Sequence, residues 1–190
     1  MKRNNSILIH DIITITCMLP FAFMCLLEVI FNFKIYPLFL THTLMFHMVY
    51  DVLWIIIQPS IVPSMRGFII THHIAIISLL VYPLLSRPQD AHLTALSGII
   101  EFDTCLLLLK RVSHYNEKMC KIFHRLYLIS NVLLRVFYET YILAFFWNYF
   151  KNDVLLIKIH ALGGQLFITL FSYGICIFTY TKRNPALKPD

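Results

Sequence analysis

Six runs of mainly apolar residues divide this sequence, and short polar or charged breaks separate them. The runs cover 7–31, 36–62, 68–85, 91–109, 122–149 and 154–180. A helix that crosses a bilayer needs about 20 such residues. In lipid, every backbone N–H and C=O must also be satisfied within the spanning segment. These two requirements predict an all-α, integral membrane bundle of six transmembrane helices. Composition points the same way: 14% of residues are charged, against about 25% in an ordinary soluble domain. One domain is expected, with the first helix in 1–35, five further helices in 36–180 and a tail at 181–190.

Lys2-Arg3 followed by an apolar run imitates a cleaved leader. The run continues to Phe31, is interrupted by His10-Asp11 and Glu28, and is not followed by a small-residue cleavage motif, so it reads as the first membrane helix. Six crossings put both termini on one side. That side collects eleven basic residues: Lys2, Arg3, Arg66, Lys110, Arg111, Lys118, Lys121, Arg125, Lys182, Arg183 and Lys188. The other side has four, Lys34, Arg87, Lys151 and Lys158. Basic residues favour the cytoplasmic face, so both termini are predicted to be cytoplasmic. The net charge of +6 is spread over the ends of apolar runs, which suits membrane anchoring; nucleic acid is not an expected partner.

Ionisable residues inside the apolar runs carry the functional signal, because each costs a few kcal/mol in a bilayer unless it faces protein or a wet cavity. His72-His73 stand near the start of the third run, and Glu101 and Asp103 in the last third of the fourth. Histidine titrates near neutral pH and suits acid–base work. Adjacent histidines lie about 100° apart on a helix, so they cannot both address one point. Glu101 extends a polar stripe from Thr94 and Ser97 and is expected to face inward, with Asp103 on another face, toward a neighbour or the interface near Lys110. In the second run His47, Asp51 and Gln58 share a helix face with Trp54 between them. The fifth run holds Asn131, Arg135 and Glu139; Arg135 and Glu139 are four apart and are expected to pair within the helix, with Asp51 or Glu101 as alternative partners. Gly163, Gly164 and Gly174 are expected to allow close helix contact. Asp51, His72 or His73, and Glu101 are expected to line one cavity that opens toward the cytoplasmic leaflet. Separate helix-packing contacts are the competing outcome.

The sequence offers no metal site. A membrane di-iron enzyme would need several HxxH or HxxHH boxes, and one HH pair exists. Cys17, Cys25, Cys105, Cys120 and Cys176 form no CxxC pair and read as small buried hydrophobes, not as disulfides or zinc ligands. Neither a GxSxG elbow nor a phosphate-cradling loop is present.

Tyr50-Asp51, then His72-His73, then Glu101-Phe102-Asp103-Thr104 followed by Lys110-Arg111, resembles the TLC (TRAM–LAG1–CLN8) domain over about residues 36–180. The resemblance implies a barrel-like six-helix arrangement around a lipid-accessible cavity, and an endoplasmic-reticulum location. In the ceramide synthases of that family, such a cavity hosts N-acylation by a fatty acyl-CoA, and a His-Asp pair follows the first histidines. Ile99-Ile100 stand at that pair's place here, while Asp103 matches the aspartate three residues on and Lys110 a later lysine. Glu101 is similar to the glutamate of the small, non-synthase TLC proteins. The resemblance therefore implies a protein that binds or modifies membrane lipids and influences their composition. Acyl transfer and endoplasmic-reticulum cargo handling are the alternatives. His72, His73, Glu101 and Asp103 would be catalytic in the acyltransferase, and Asp51, His47 and Arg135 would contact the lipid headgroup. No resident cofactor is implied, only fatty acyl-CoA as co-substrate; association into homo- or hetero-oligomers is left open.

Overall fold

The structure is a computed structural model and describes residues 5–31, 36–62 and 65–181. Among these residues every element is helical. Helix α1 spans Asn5–Phe31, α2 Pro37–Ile57 and α3 Arg66–Leu85. Helices α4 (His92–Gly98) and α5 (Glu101–Val112) form one leg, bent by 42° at the Ile99-Ile100 turn. Helix α6 (Glu117–Val132), a π-helical turn at Leu133–Tyr138 and α7 (Glu139–Tyr149) make another leg, and α8 spans Leu155–Thr181. Five helices are long and apolar enough to cross a membrane, six when the bent α4–α5 pair counts as one span.

The basic break predicted at 110–121 is mostly helical. Helix α5 runs on to Val112, and α6 starts at Glu117, where the Asn116 side chain accepts the Met119 N–H at 3.2 Å. That cap satisfies an otherwise orphaned donor. The second span ends at Ile57, earlier than residue 62, because Pro59 has no N–H and disfavours helix at Gln58. The third starts at Arg66 and the fifth at Glu117, each before its predicted first residue. Residues 32–35, 63–64 and 182–190, with Lys2 and Arg3, lie outside the described residues.

Packing partners run in a circuit. Helix α1 packs on α2, α2 on α3, α3 on α8, α8 on α7 and the π turn, α6 on α5, and α5 back on α1. Lipid is as apolar as leucine, so burial alone does not hold such legs together; close packing and interhelical hydrogen bonds do. Two apolar clusters provide the packing. One joins Met18, Phe21 and Cys25 of α1 to Leu44 of α2, Leu80 of α3 and Ala95 of α4. The second joins Leu93 and Leu96 of α4 to Ile142 and Phe146 of α7, Phe150, and Ala161 of α8. Hydrogen bonds cross between legs at Thr41–Thr94 (2.8 Å), Tyr138 Oη to the Leu96 carbonyl (2.8 Å) and Tyr180 Oη to the Leu128 carbonyl (2.8 Å). Large apolar residues such as Phe23, Phe46, Phe137 and Leu170 point outward, as a lipid-facing surface requires.

The three glycines of α8 differ. A Cβ at Gly164 would lie 2.7 Å from Leu79, so this residue permits the close α3–α8 approach. Gly163 faces open space, and a Cβ at Gly174 would make ordinary contact with Phe68.

Candidate functional site

The circuit of helices encloses a cavity of about 270 Å³. Its wall includes Asp90 and Arg111, so it follows the α4–α5 leg for roughly 30 Å of chain at 1.5 Å per residue. Asp51, His72, His73 and Glu101 all line it, as do His47 and Arg135. Asp103 does not.

Asp51 of α2 is the most connected of these groups. Its Oδ1 lies 2.5 Å from His10 Nε2, and its Oδ2 lies 3.3 Å from His73 Nδ1. The His73 pair is close enough for charge attraction but misses hydrogen-bond geometry. His47, one turn before Asp51 on the same face, is 7% exposed. Gln58, the third member of the predicted stripe, lies beyond the end of α2 and off the cavity wall. His72 turns away from His73 and stacks on Phe171 of α8, with ring centroids 3.8 Å apart. The two imidazoles thus address different neighbours, as a 100° offset requires.

The α4–α5 bend sets Glu101 and Asp103 in the first turn of α5, where the helix dipole favours carboxylates. Glu101 faces the cavity, while Asp103 is fully buried behind it. Asp103 accepts hydrogen bonds from Ser130 Oγ (2.7 Å), Asn131 Nδ2 (3.1 Å) and Arg135 Nε (2.5 Å). Asp103 therefore reaches a neighbouring leg and not Lys110, whose ammonium sits over the Tyr127 ring.

The expected Arg135–Glu139 pair is not the one that forms. Arg135 pairs with Asp103 across helices and adds a 3.3 Å bond to Thr104 Oγ1. Glu139 turns to α8, where Gln165 Nε2 (2.8 Å) and Ser172 Oγ (3.4 Å) donate to it. The π turn explains the geometry. Tyr127, Asn131, Arg135 and Glu139 are all buried, each four residues after the last. In a regular α-helix, three such steps drift by about 120°. The wider π turn at Leu133–Tyr138 offsets that drift and keeps the row facing the bundle.

Sequence reasoning treated His10 and Asp11 as interruptions of an apolar run, yet they complete the site. His10 is 5% exposed and Asp11 fully buried. Asp11 Oδ2 meets Arg111 Nε at 3.2 Å. The signal was available: two ionisable residues inside an apolar span obey the same cost argument as His72-His73. Gln165 and Ser172 gave weaker signals, since neutral polar residues serve often as helix glue.

A set of ion pairs stands at the Asp90 end of the cavity wall. Beside the Leu93–Phe146–Phe150 cluster, Arg87 Nε lies 3.0 Å from Asp90 and Nη1 2.6 Å from Asp153, and Tyr149 Oη donates to Asp90 at 2.9 Å. Burial works against the Arg87 charge, but the Asp153 hydrogen bond, helped by Tyr82 and Asp90, outweighs it and holds its pKa above the usual arginine value.

Several polar atoms near Asp51 are buried with no hydrogen-bond partner among the described residues: Thr14 Oγ1, Tyr50 Oη, Trp54 Nε1, and Nδ1 of His72 and of His73. Such atoms are rare in folded proteins and call for a water or a ligand. No group of three His, Cys, Asp or Glu side chains among the described residues is arranged to hold a metal ion. Comparison with protein-family models, with curated proteins and with solved structures finds no match.

Proposed function

We propose that this chain is a multi-pass membrane protein of TLC type that binds or modifies membrane lipids in this cavity. The circuit of six legs supports the barrel-like arrangement that the reading requires. The observation that carries the reading is the cavity wall itself. Asp51, His72, His73 and Glu101 come from three helices to one space, beside orphaned polar atoms, with apolar residues such as Ile76, Leu79 and Ile168 completing the wall. Polar groups for a headgroup and apolar wall for a chain are what an amphiphile needs. At about 270 Å³ the cavity sits at the lower edge of the roughly 300–1,000 Å³ of small-molecule sites. It holds a headgroup or a chain segment, and the rest of the lipid stays in the bilayer.

A photoactivatable lipid in nanodiscs tests this. Crosslinks are expected on cavity residues, and Ile76→Trp, which fills the cavity, is expected to abolish them. Crosslinks confined to outward residues such as Phe46 and Phe137, and indifferent to that substitution, would mean only the surrounding lipid shell was labelled.

Acyl transfer from fatty acyl-CoA is the second reading, favoured by the histidines beside a carboxylate. A histidine would take the proton of an amine or hydroxyl acceptor as it attacks the thioester carbonyl. The Ile99-Ile100 turn gives that chemistry no second acid–base pair; Ile100 is on the cavity wall and Ile99 in the apolar core. Acyl-CoA turnover by purified protein separates the two readings, and lipid profiles with and without the chain supply the lipid class. Residence in the endoplasmic reticulum with both termini in the cytosol belongs to the same proposal. A glycosylation acceptor placed at 86–90 is expected to be modified in the lumen; an unmodified, cytosol-accessible loop would reverse the orientation.

A further inference from the structure

Asp51 is shared by two histidines from two other helices, and one of them leads to the edge of the bundle. His10 Nε2 is 2.5 Å from Asp51 Oδ1, and His73 Nδ1 is 3.3 Å from Oδ2. On its far side His10 Nδ1 lies 3.4 Å from Asp11 Oδ1, and Asp11 Oδ2 lies 3.2 Å from Arg111 Nε. The row Arg111–Asp11–His10–Asp51–His73 alternates basic and acidic groups across α5, α1, α2 and α3. Its outer member is 32% exposed, and Arg111, His10, Asp51 and His73 all stand on the cavity wall, with Asp11 behind it. The other end of the cavity wall carries the Leu93–Phe146–Phe150 cluster and, at Asp90, the Arg87 ion pairs. The continuous polar row therefore reaches one end only.

We propose that this row is a proton path along the cavity wall, from the Arg111 edge at the α1–α5 end of the bundle to His73. Alternating carboxylates and imidazoles inside a membrane domain are the side chains from which proton relays are built. Each imidazole can accept a proton on one nitrogen and release one from the other. For a proton moving inward, Asp11 accepts it at the Arg111 edge and hands it to His10 Nδ1. His10 gives its Nε2 proton to Asp51 Oδ1. The protonated Asp51 carboxyl then turns, the His73 ring swings into line across the 3.3 Å gap, and the same proton passes to His73 Nδ1 while His73 releases its Nε2 proton to the group bound in the cavity. One proton enters and one leaves, and rotation of the rings restores the first tautomers. Arg111 stays charged and holds Asp11 in place. A bound group that changes charge in a low-dielectric cavity needs such a supply, because an unpaired charge there is costly. The path does not depend on the bound group being a lipid.

Other ionisable groups also act on the row. His47 and Tyr50 of α2 and Glu101 of α5 feel Asp51, and the His72 ring of α3, stacked on Phe171, has its centroid 5.6 Å from that of His73. Helix α4 brings only His92, at the opposite end and bonded to the Gln89 carbonyl, and α8 meets His72 there with the apolar ring of Phe171.

The test is solvent proton exchange at the His73 ring, read by nitrogen-15 NMR of the full-length, histidine-labelled protein in nanodiscs. His10→Gln and Asp11→Asn are each expected to slow exchange at His73 by an order of magnitude or more, with exchange at His72 unchanged. A second measurement covers any loss of folding in His10→Gln. Trp54 lies 5.9 Å from the His10 ring, and Trp147→Phe leaves it as the only tryptophan. In that background, a stopped-flow pH jump reports His10 protonation through Trp54 emission, and Asp11→Asn is expected to slow the response by a similar factor. Unchanged exchange at His73 in both variants, or an unchanged Trp54 response in Asp11→Asn, overturns the proposal, because protons would then reach these rings directly from the cavity.

Discussion

Arg135→Leu is expected to lower the unfolding free energy in mixed detergent micelles by about 3–5 kcal/mol. The cause is the carboxylate left behind. Asp103 is fully buried, and once the guanidinium is gone only Ser130 and Asn131 among the described residues donate to it. Breaking one side of a buried pair costs more than the pair contributes, because the surviving charge has lost its compensation. Arg135→Leu combined with Asp103→Asn is therefore expected to recover most of the loss. The asparagine oxygen still accepts from Ser130, its amide N–H can donate to Asn131 Oδ1 once the Asn131 amide flips, and it carries no charge. Arg135→Lys should fall between, since it restores the charge but not the planar donors that reach Asp103 and Thr104 together. If the double variant is no more stable than Arg135→Leu, the guanidinium matters through its place on the cavity wall and not through Asp103.

That pair also marks where reading the chain stops. The apolar helices, five or six with the bent α4–α5 pair, were legible because the need for about 20 apolar residues is local to each segment. The inward face of Glu101 was legible from Thr94 and Ser97, since one helical period fixes it. The partner of Arg135 was not. Glu139, four residues on, looks adjacent on an α-helix, but the choice between it and Asp103 depends on the distance between α5 and α6 and on the π turn. Neither is a local property of the chain. The α4–α5 bend was equally hidden, because Ile99-Ile100 is an ordinary apolar pair and the turn is stabilised by its packing in both apolar clusters. The basic stretch at 110–121 was misread for another reason. Charge marks the edge of the bilayer, and helix can continue through that edge when a cap such as Asn116 is present. His10-Asp11 was visible and undervalued: the polar residues that end one span's apolar count are the ones that a neighbouring span's Asp51 requires.

Gly98→Ala should be the most damaging of the small glycine substitutions, although alanine is the better helix former by about 1 kcal/mol. Gly98 closes α4 just before the bend and lies against α1. A Cβ there would sit 2.6 Å from Cys25 Sγ and 2.8 Å from the Phe21 ring. Both neighbours are fully buried in the cluster that joins α1 to α2, α3 and α4, so neither can swing into open space. Overpacking of this kind costs about 1–3 kcal/mol, which outweighs the propensity gain. Cys25→Ala should return only part of the loss, because the Phe21 contact remains. Gly164→Ala is expected to cost less, since Leu79, at 2.7 Å, is only partly buried, lines the cavity and can yield into it. Gly163→Ala meets nothing within 4 Å and should be neutral or stabilising by up to about 1 kcal/mol. The order Gly98, Gly164, Gly163, from most to least destabilising, is measurable in one series of micelle unfolding curves. A Gly98→Ala protein as stable as Gly163→Ala would mean that α1 and the α4–α5 bend are not in close contact. The α1 side of the cavity, with His10 and Asp11, would then lose its support.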